Sequence, residues 1–366
     1  MANTSASTSA AANHPPGGRG VDVLVASTVP DASIPRDQTS RESTSAAVVV
    51  AAPGGDVVLV VGKRRARIQV FSVVLRNSSR VFEAMLRPEF AEGAKLFLNT
   101  HGSAPVDIEL PEDDPDAMGK LCKMLHCTAD AGASPGGAQS LLDLARAADK
   151  YDLVSRVVFP ATQWLTELMK RPAVRDAELL LGLMAAYTLK HATGFANLSR
   201  ALMMQHAGSW CDLLKGLPDV DGLAHELLVA LEEARSYIHA CVCETVNNLA
   251  MMSAINSCLC TLEKPDIVNR WFLGLGGSQF LTINLTTLQT LSIVHLSRDV
   301  YHLSHLGSDH LSGLRHVCGR NPRPLLTEVV YGIVAKKLAS FKGLCLRCFD
   351  RKNRYVGATG GCRLAH

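Results

Sequence analysis

A continuous run of five apolar residues is the first strong pattern in the chain. Residues 57–61, Val-Val-Leu-Val-Val, are apolar on both faces of a strand and stop at Gly62, which predicts a strand covered on both sides. Lys63-Arg-Arg follows with the polarity of a turn, and residues 67–70 then alternate polar and apolar side chains. The pattern therefore predicts a β-hairpin.

Two short helices are predicted after the hairpin. Ser72 and Ser79 can each cap a helix, because a serine hydroxyl accepts hydrogen bonds from the amides of the first turn. Pro88 ends the second helix, and both helices are expected to pack on the hairpin. The second helix has an apolar stripe at helical spacing, formed by Val81, Phe82, Met85 and Leu86.

Residues 108–126 combine the end of a strand, a turn and a buried helix. The strand is predicted over residues 106–110, and the helix begins at Asp114-Pro115. A carboxylate suits the capping position and a proline suits the first helical position. The apolar residues beyond them share one helix face: Met118, Leu121, Cys122 and Leu125.

Two more helices complete this part of the chain. One is predicted over residues 164–169, before Pro172, and the one before it is marked by Leu141, Leu144, Ala145 and Ala148. The order is then strand, strand, helix, helix, strand and three helices within residues 55–169. This order predicts an α+β fold, a small sheet surrounded by helices, followed by a mostly α-helical C-terminal region.

Residues 170–340 are predicted to be that helical region. Helices are expected over residues 178–190, 223–252, 286–296 and 325–341. The second of these is amphipathic and is expected to dock on the core through Leu227, Leu228, Leu231, Ala234, Ile238 and Val242.

Residues 1–54 are predicted to be a disordered leader. They consist mainly of Ala, Ser, Thr, Gly and Pro, and they cannot bury enough apolar surface to offset the entropy of ordering. An edge strand at residues 48–52 is the alternative for the end of this segment. The first residues lack the basic and apolar regions of a secretory signal, and no apolar run reaches the roughly 18 residues of a membrane span. An intracellular protein of the cytoplasm or nucleus is therefore expected, not a secreted or membrane protein.

The 11 cysteines are expected to be thiols or metal ligands in such a reducing compartment. Cys241-x-Cys243 and Cys258-x-Cys260 are interpreted as core residues, because positions two apart on a helix point to different sides. The histidines from 295 to 316 are interpreted as a polar helix surface. The tail, residues 341–366, is different: a structural zinc ion is predicted there, bound by Cys345, Cys348, Cys362 and His366. Reduced thiols that pack the tail and a redox-active pair are the alternatives.

Positive charge is concentrated in the same tail. Residues 336–366 hold eight Lys or Arg and one Asp, a net charge of +7, whereas the whole chain has +3. Contact with nucleic acid is one interpretation, with Arg347, Arg351, Lys352 and Arg354 beside Phe349 and Tyr355. A solvated face or an acidic protein partner explains the charge equally well.

The motifs of residues 55–169 together resemble a BTB (POZ) domain of the filamentous-fungal type. The resemblance rests on Asp56-Val-Val-Leu-Val-Val-Gly, Ser79-Arg-Val-Phe-Glu-Ala-Met, Ile108-Glu-Leu-Pro-Glu-Asp-Asp-Pro and Leu144-Ala-Arg-Ala-Ala-Asp-Lys-Tyr, in the family's order. It implies a non-catalytic interaction module that forms homodimers or heterodimers. The expected partner-binding residues are Met118, Gly119, Lys120 and Lys123, with Val57 and Leu59 on the first strand.

Two positions depart from the family pattern. Animal members have a His-Lys pair where this chain has Phe71-Ser72, and members that bind cullin-type ubiquitin ligases have a Glu where this chain has Lys120. Because a Lys in place of a Glu reverses a charge at an interface, a ligase substrate adaptor is only the second alternative, after a nucleic-acid-binding or transcriptional regulator. No phosphate loop, dinucleotide glycines or catalytic pair occurs, so neither catalysis nor a small-molecule substrate is expected.

Overall fold

The computed structural model describes residues 49–99, 104–128, 133–215, 217, 222–256 and 327–350. They all belong to one compact unit, Ala46–His366. The strands are β1 (Val49–Val50), β2 (Val57–Val61), β3 (Ala66–Val70) and β4 (Val106–Leu110). The helices are α1 (Ser72–Ser78), α2 (Arg80–Met85), α3 (Ala91–Leu98), α4 (Pro115–Leu125), α5 (Ala138–Lys150), α6 (Val154–Lys170), α7 (Asp176–Thr188), α8 (Ala192–Gln205), α9 (Trp210–Lys215), α10 (Gly222–Asn256), α11 (Thr327–Ser340) and α12 (Leu346–Asp350). The mixed α+β class with a small sheet and mostly helical content is confirmed.

The four strands form one sheet in the order β1-β3-β2-β4. β2 and β3 form the predicted antiparallel hairpin, and β4 lies parallel to β2, so that Leu59 pairs with both Ile68 and Ile108. β1 pairs with β3 in parallel, within the range predicted as leader. Only two residues form β1, and such a short strand exists because β3 offers it an edge.

Ion pairs cover the outer face of the sheet, which is why both sides of the apolar strand β2 are buried. Val58 and Val60 point to this face and are 3% and 1% exposed. Arg67 on β3 donates two hydrogen bonds to Asp107 on β4, both 2.8 Å long, and Arg65 donates one of 2.6 Å to Glu109. The ion pairs therefore bridge the two strands that flank β2 and shield its valines from water.

The helix caps are partly as predicted. The Ser79 hydroxyl accepts from the Phe82 amide at 3.0 Å and caps α2, as expected. Ser72 does not cap α1 but is its first residue, and Asp56 accepts hydrogen bonds from the Ser72 amide at 2.7 Å and from its hydroxyl at 2.5 Å. The predicted stripe of α2 is also wrong in one position, because Val81 is 38% exposed while Phe82 is fully buried.

The turn between β4 and α4 is held from three sides. Asp114 accepts from the Ala117 amide at 2.8 Å and caps α4, as predicted. The neighbouring Asp113 accepts from Lys150 Nζ at 2.7 Å and from the Tyr151 hydroxyl at 2.6 Å. Tyr151 in turn stacks on Phe82 with 4.4 Å between the ring centroids. The Asp-Lys-Tyr sequence at the end of α5 thus ties the turn to α2.

One helix is longer than the sequence predicted, and several helices are additional. α6 begins ten residues before the predicted start at Trp164 and contains Pro160, because one buried face runs through the proline from Val157 to Leu168. α3, α8, α9 and α12 were not predicted. The helix predicted over residues 286–296, the histidines from 295 to 316 and Cys258-x-Cys260 lie outside the described residues.

The helical region shares one hydrophobic core with the α+β part. The predicted boundary at residue 170 falls at the C-terminal end of α6, but α5 packs directly on α7 and α6 on α8. α10 contributes its predicted stripe, whose six residues are all buried. No described helix is long and apolar enough to cross a membrane. A truncation at residue 170 would therefore expose apolar side chains of α5 and α6.

Candidate interaction surface

Three of the expected partner-binding residues lie in the core. Val57, Leu59 and Met118 have 0% exposure. Val57 and Leu59 of β2 face the inner side of the sheet. Met118 lies on the buried face of α4, together with Cys122. Burial raises the pKa of the Cys122 thiol to about 12, which fits a packing residue. The prediction that these three residues contact a partner is therefore wrong, because their side chains pack inside the module.

The remaining expected residues lie at the edge of the buried face of α4. Gly119 is buried, whereas Lys120 and Lys123 are half-buried. Lys120 Nζ donates to the Pro135 carbonyl oxygen at 2.5 Å, which ties α4 to the loop before α5. The Lys123 carbonyl accepts from the Thr128 amide at 3.1 Å and closes the C-terminal end of α4. These lysines combine a structural contact with a partly exposed positive charge.

Next to Lys123, the end of α4 meets the start of α1. His126 Nε2 accepts from the Phe71 amide at 3.0 Å, so its Nδ1 carries the proton and donates to the Cys122 carbonyl at 2.8 Å. Phe71 is 36% exposed and Val73 is 58% exposed. We call Lys120, Lys123, His126, Phe71 and Val73 the α4 surface. The sequence reasoning missed Phe71 and Val73, although Val73 does not share the helix face of the buried Leu75.

Exposed large apolar side chains are concentrated in the same part of the chain. Eleven such residues occur among the described residues, and only Val229 and Ile333 belong to the helical region. The other nine are Val50, Phe71, Val73, Val81, Phe90, Phe97, Leu98, Val158 and Phe159. Single exposed apolar residues need no explanation, but this density on one part of a fold is typical of an interaction surface.

The tail residues are placed only in part. Cys345 directly precedes α12 and is half-buried, and Cys348 lies within α12 and is buried. Cys362 and His366, the other two predicted zinc ligands, lie outside the described residues. Among the residues that the structure does describe, no group of three or more His, Cys, Asp or Glu side chains is placed to hold a metal ion.

The described part of the tail is docked on α7 and α8. Ser199 Oγ accepts from the Leu344 amide at 2.8 Å, and Arg200 Nε donates to the Phe341 carbonyl at 2.8 Å. Phe349 packs edge-on against Tyr187, with 5.3 Å between ring centroids, and against Phe195 at 5.6 Å. This contact anchors α12 in the core of the helical region.

The residues named for nucleic-acid contact differ in their exposure once the tail is docked. Phe349 is only 6% exposed, so its ring packs in the protein and offers no face to a nucleic acid. Arg347 is exposed and available for contact, whereas Arg351, Lys352, Arg354 and Tyr355 lie outside the described residues. Of the four basic residues named for this contact, Arg347 alone lies among the described residues.

A buried polar cluster joins α8, α9 and α10. The Trp210 ring stacks on His206 with 4.1 Å between centroids, and the Arg235 guanidinium lies 4.6 Å from the Trp210 centroid. Glu232 accepts from Trp210 Nε1 at 2.5 Å and pairs with Arg235 at 2.6 Å. The cluster links these helices through aromatic, cation–π and ionic contacts, although Arg235 Nε and His206 Nε2 are buried without a hydrogen-bond partner.

His239, one turn beyond Arg235, makes the stability of this cluster depend on pH. Burial, and next the charge of Arg235, lower the pKa of His239 from 6.5 to about 4. A histidine with a lowered pKa in the folded state stabilises the fold above pH 6.5, and this contribution is lost as the pH falls towards 4. We expect a loss of up to about 3 kcal/mol in the free energy of unfolding over this window, measured by urea denaturation at several pH values.

The matched variant for this pH prediction is His239→Gln. Glutamine keeps a polar side chain but does not titrate, so the slope of stability against pH between 6.5 and 4 should become shallower. Parallel curves for the wild type and His239→Gln would contradict the prediction.

Comparisons of the chain with protein-family models, with curated proteins and with solved structures give no match.

Proposed function

We propose that this protein is a non-catalytic interaction protein that associates with itself or with another protein through residues 55–169, which act as a BTB-type module. The observation that carries the proposal is the concentration of exposed apolar side chains on this part of the chain. The order of strands and helices and the motifs quoted above support the same class.

The α4 surface is the part of the module that we assign to partner binding. Phe71 and Val73 supply apolar area, His126 accepts from the Phe71 amide at 3.0 Å, and α4 adds the positive charge of the half-buried Lys120 and Lys123. Interfaces of this type have an apolar centre and a polar rim. The charge favours a partner whose matching surface is acidic, since like charges across an interface cost affinity.

Sedimentation velocity of the full chain at micromolar concentration tests the proposal. We expect a concentration-dependent dimer or larger species, and a Phe71→Ser, Val73→Ser double variant should weaken association by at least about tenfold. Serine at position 71 suits the capping position of α1, so this change leaves the helix able to form.

The control is Val229→Ser, which removes a 46% exposed valine from α10 and should leave association unchanged. If the chain is monomeric at all concentrations, affinity capture from its source cells tests instead whether it binds a different protein. A monomer that captures no partner, or capture that the double variant does not reduce, contradicts the proposal.

A further inference from the structure

The module has a concave surface whose lining residues are all different from those of the α4 surface, although Arg76 lies one turn beyond Val73 on α1. It is a cleft of about 370 Å³ between the turn that joins α1 to α2 and the beginning of α6. Its walls are polar throughout and consist of Arg76, Asn77, Ser78, Ser79, Arg80, Glu83, Asp152, Ser155 and Arg156. Three arginines from two separate parts of the chain thus line one small cleft.

The three guanidinium groups are weakly engaged. Arg80 lies 3.9 Å from Asp152, and both side chains are largely exposed, at 91% and 61%. An ion pair with this distance and exposure contributes little. Among the described residues, Arg76 and Arg156 have no carboxylate within ion-pair distance. The cleft therefore contains cationic groups that an incoming anion can engage.

The charge balance of the cleft matches a divalent anion. Its lining has three arginines and two carboxylates, and one of these carboxylates, Glu83, is already paired at 3.2 Å with Arg87 outside the cleft. With Arg87 included, the local excess is two positive charges, four minus two. Phosphate on a serine or threonine carries close to two negative charges at neutral pH.

The beginning of α6 adds to this preference. The first turn of this 17-residue helix contains Ser155 and Arg156, and it has neither an acidic residue nor a side-chain cap. The positive end of the helix dipole favours an anion beside these arginines, although the Arg156 amide itself already donates to the Leu153 carbonyl at 2.9 Å. The Ser79 hydroxyl is not available, because it donates to the Tyr151 carbonyl and accepts from the Phe82 amide.

From this arrangement we infer that the cleft binds a phosphorylated serine or threonine of a protein partner. The planar guanidinium groups of Arg76, Arg80 and Arg156 bind the phosphate oxygens in pairs, which ammonium groups cannot do. This inference rests on the proposed function, since it names the chemistry of one protein partner, but it uses residues outside the α4 surface.

Neighbouring apolar residues favour a peptide over other phosphate carriers. Val81 follows Arg80, and Val158 and Phe159 follow Arg156; they are 38%, 42% and 86% exposed. They offer contacts to side chains that flank the phosphorylated residue. A nucleic acid strand instead presents many successive phosphates, and Glu83 and Asp152 would repel the additional charges.

The experiment measures binding of the full chain to a library of peptides with a fixed phosphoserine and random flanking residues. We expect the chain to retain the phosphorylated library over the same library with serine, and to select apolar residues beside the phosphoserine. Arg76→Gln and Arg156→Gln should each weaken binding of a selected peptide by about tenfold or more, as fluorescence anisotropy measures.

Two further variants make the test specific. Arg87→Gln removes an arginine outside the cleft and should weaken binding by less than Arg76→Gln does. Asp152→Asn removes the competing carboxylate at a position with φ of 52°, where asparagine is well tolerated, and should tighten binding several-fold. Circular dichroism and thermal unfolding show whether each variant keeps the wild-type fold.

The outcomes separate this inference from the proposed function. Equal retention of both libraries, or equal loss in Arg76→Gln and Arg87→Gln, overturns the phosphopeptide site. Equal competition by a single-stranded oligonucleotide or by phosphatidylserine vesicles also overturns it, in favour of a general polyanion surface. Association through Phe71 and Val73 would remain in each case. A third outcome is that sedimentation and capture show no association while the phosphopeptide is bound. In that case the assignment of partner binding to the α4 surface is wrong, and the phosphopeptide site in the cleft is supported.

Discussion

Replacement of Phe82 by alanine is expected to lower the free energy of unfolding by about 3–5 kcal/mol. Phe82 is fully buried and stacks on Tyr151 at 4.4 Å. Alanine would leave a cavity at the point where α2 meets the end of α5. Because the Tyr151 hydroxyl also holds Asp113, the loss should extend to the turn before α4. Chemical denaturation of the full chain measures the effect.

Phe159→Ala is the matched control for Phe82→Ala. It removes the same side chain from a site that is 86% exposed, so stability should change by less than about 0.5 kcal/mol. A stacking role that is separate from cavity formation is tested with Phe82→Leu, which fills most of the volume and lacks the ring. Equal stability of Phe82→Ala and Phe159→Ala would contradict the placement of α2 on α5.

The second large effect is expected at Gly343, where the tail approaches α8. A side-chain carbon at this position would overlap the Ala196 carbonyl and would lie 2.6 Å from Ser199 Oγ. Ser199 Oγ accepts from the Leu344 amide at 2.8 Å. Because the neighbouring atoms are backbone, Gly343→Ala should separate residues 341–350 from α7 and α8.

Hydrogen exchange of the Leu344 amide measures this separation. We expect the exchange rate to rise by about 100-fold in Gly343→Ala, since the hydrogen bond and the packing of Phe349 are lost together. Gly332→Ala is the control: its added carbon meets nothing within 4 Å, and alanine favours the helical conformation of α11. An unchanged rate in Gly343→Ala would show that the tail is held elsewhere.

The predictions that held are those in which a few neighbouring residues decide the structure. The strands β2 and β4, the capping of α2 by Ser79 and of α4 by Asp114, and the buried stripe of α10 all follow from local spacing and local hydrogen bonds. Periodicity and capping act within one turn or one strand, so these elements could be predicted from the sequence.

The predictions that failed required knowledge of distant contacts. Ser72 appeared to be a cap, but Asp56, 16 residues away, takes that role. The helix α6 runs through Pro160 because its apolar face packs on the core, and this burial outweighs the hydrogen bond that proline cannot make. The packing of Phe349 against Tyr187 and Phe195 likewise joins residues more than 150 positions apart, which no local pattern shows.

The sequence by itself determined the α+β class, the hairpin and the capped α4. The tertiary structure alone decided that Val57, Leu59 and Met118 are core residues and that Phe71 and Val73 are exposed. It also brought Arg76 and Arg156 to one cleft, although 80 positions separate them in the chain. Periodicity shows which residues share a face, but only packing decides whether that face meets the core or the solvent.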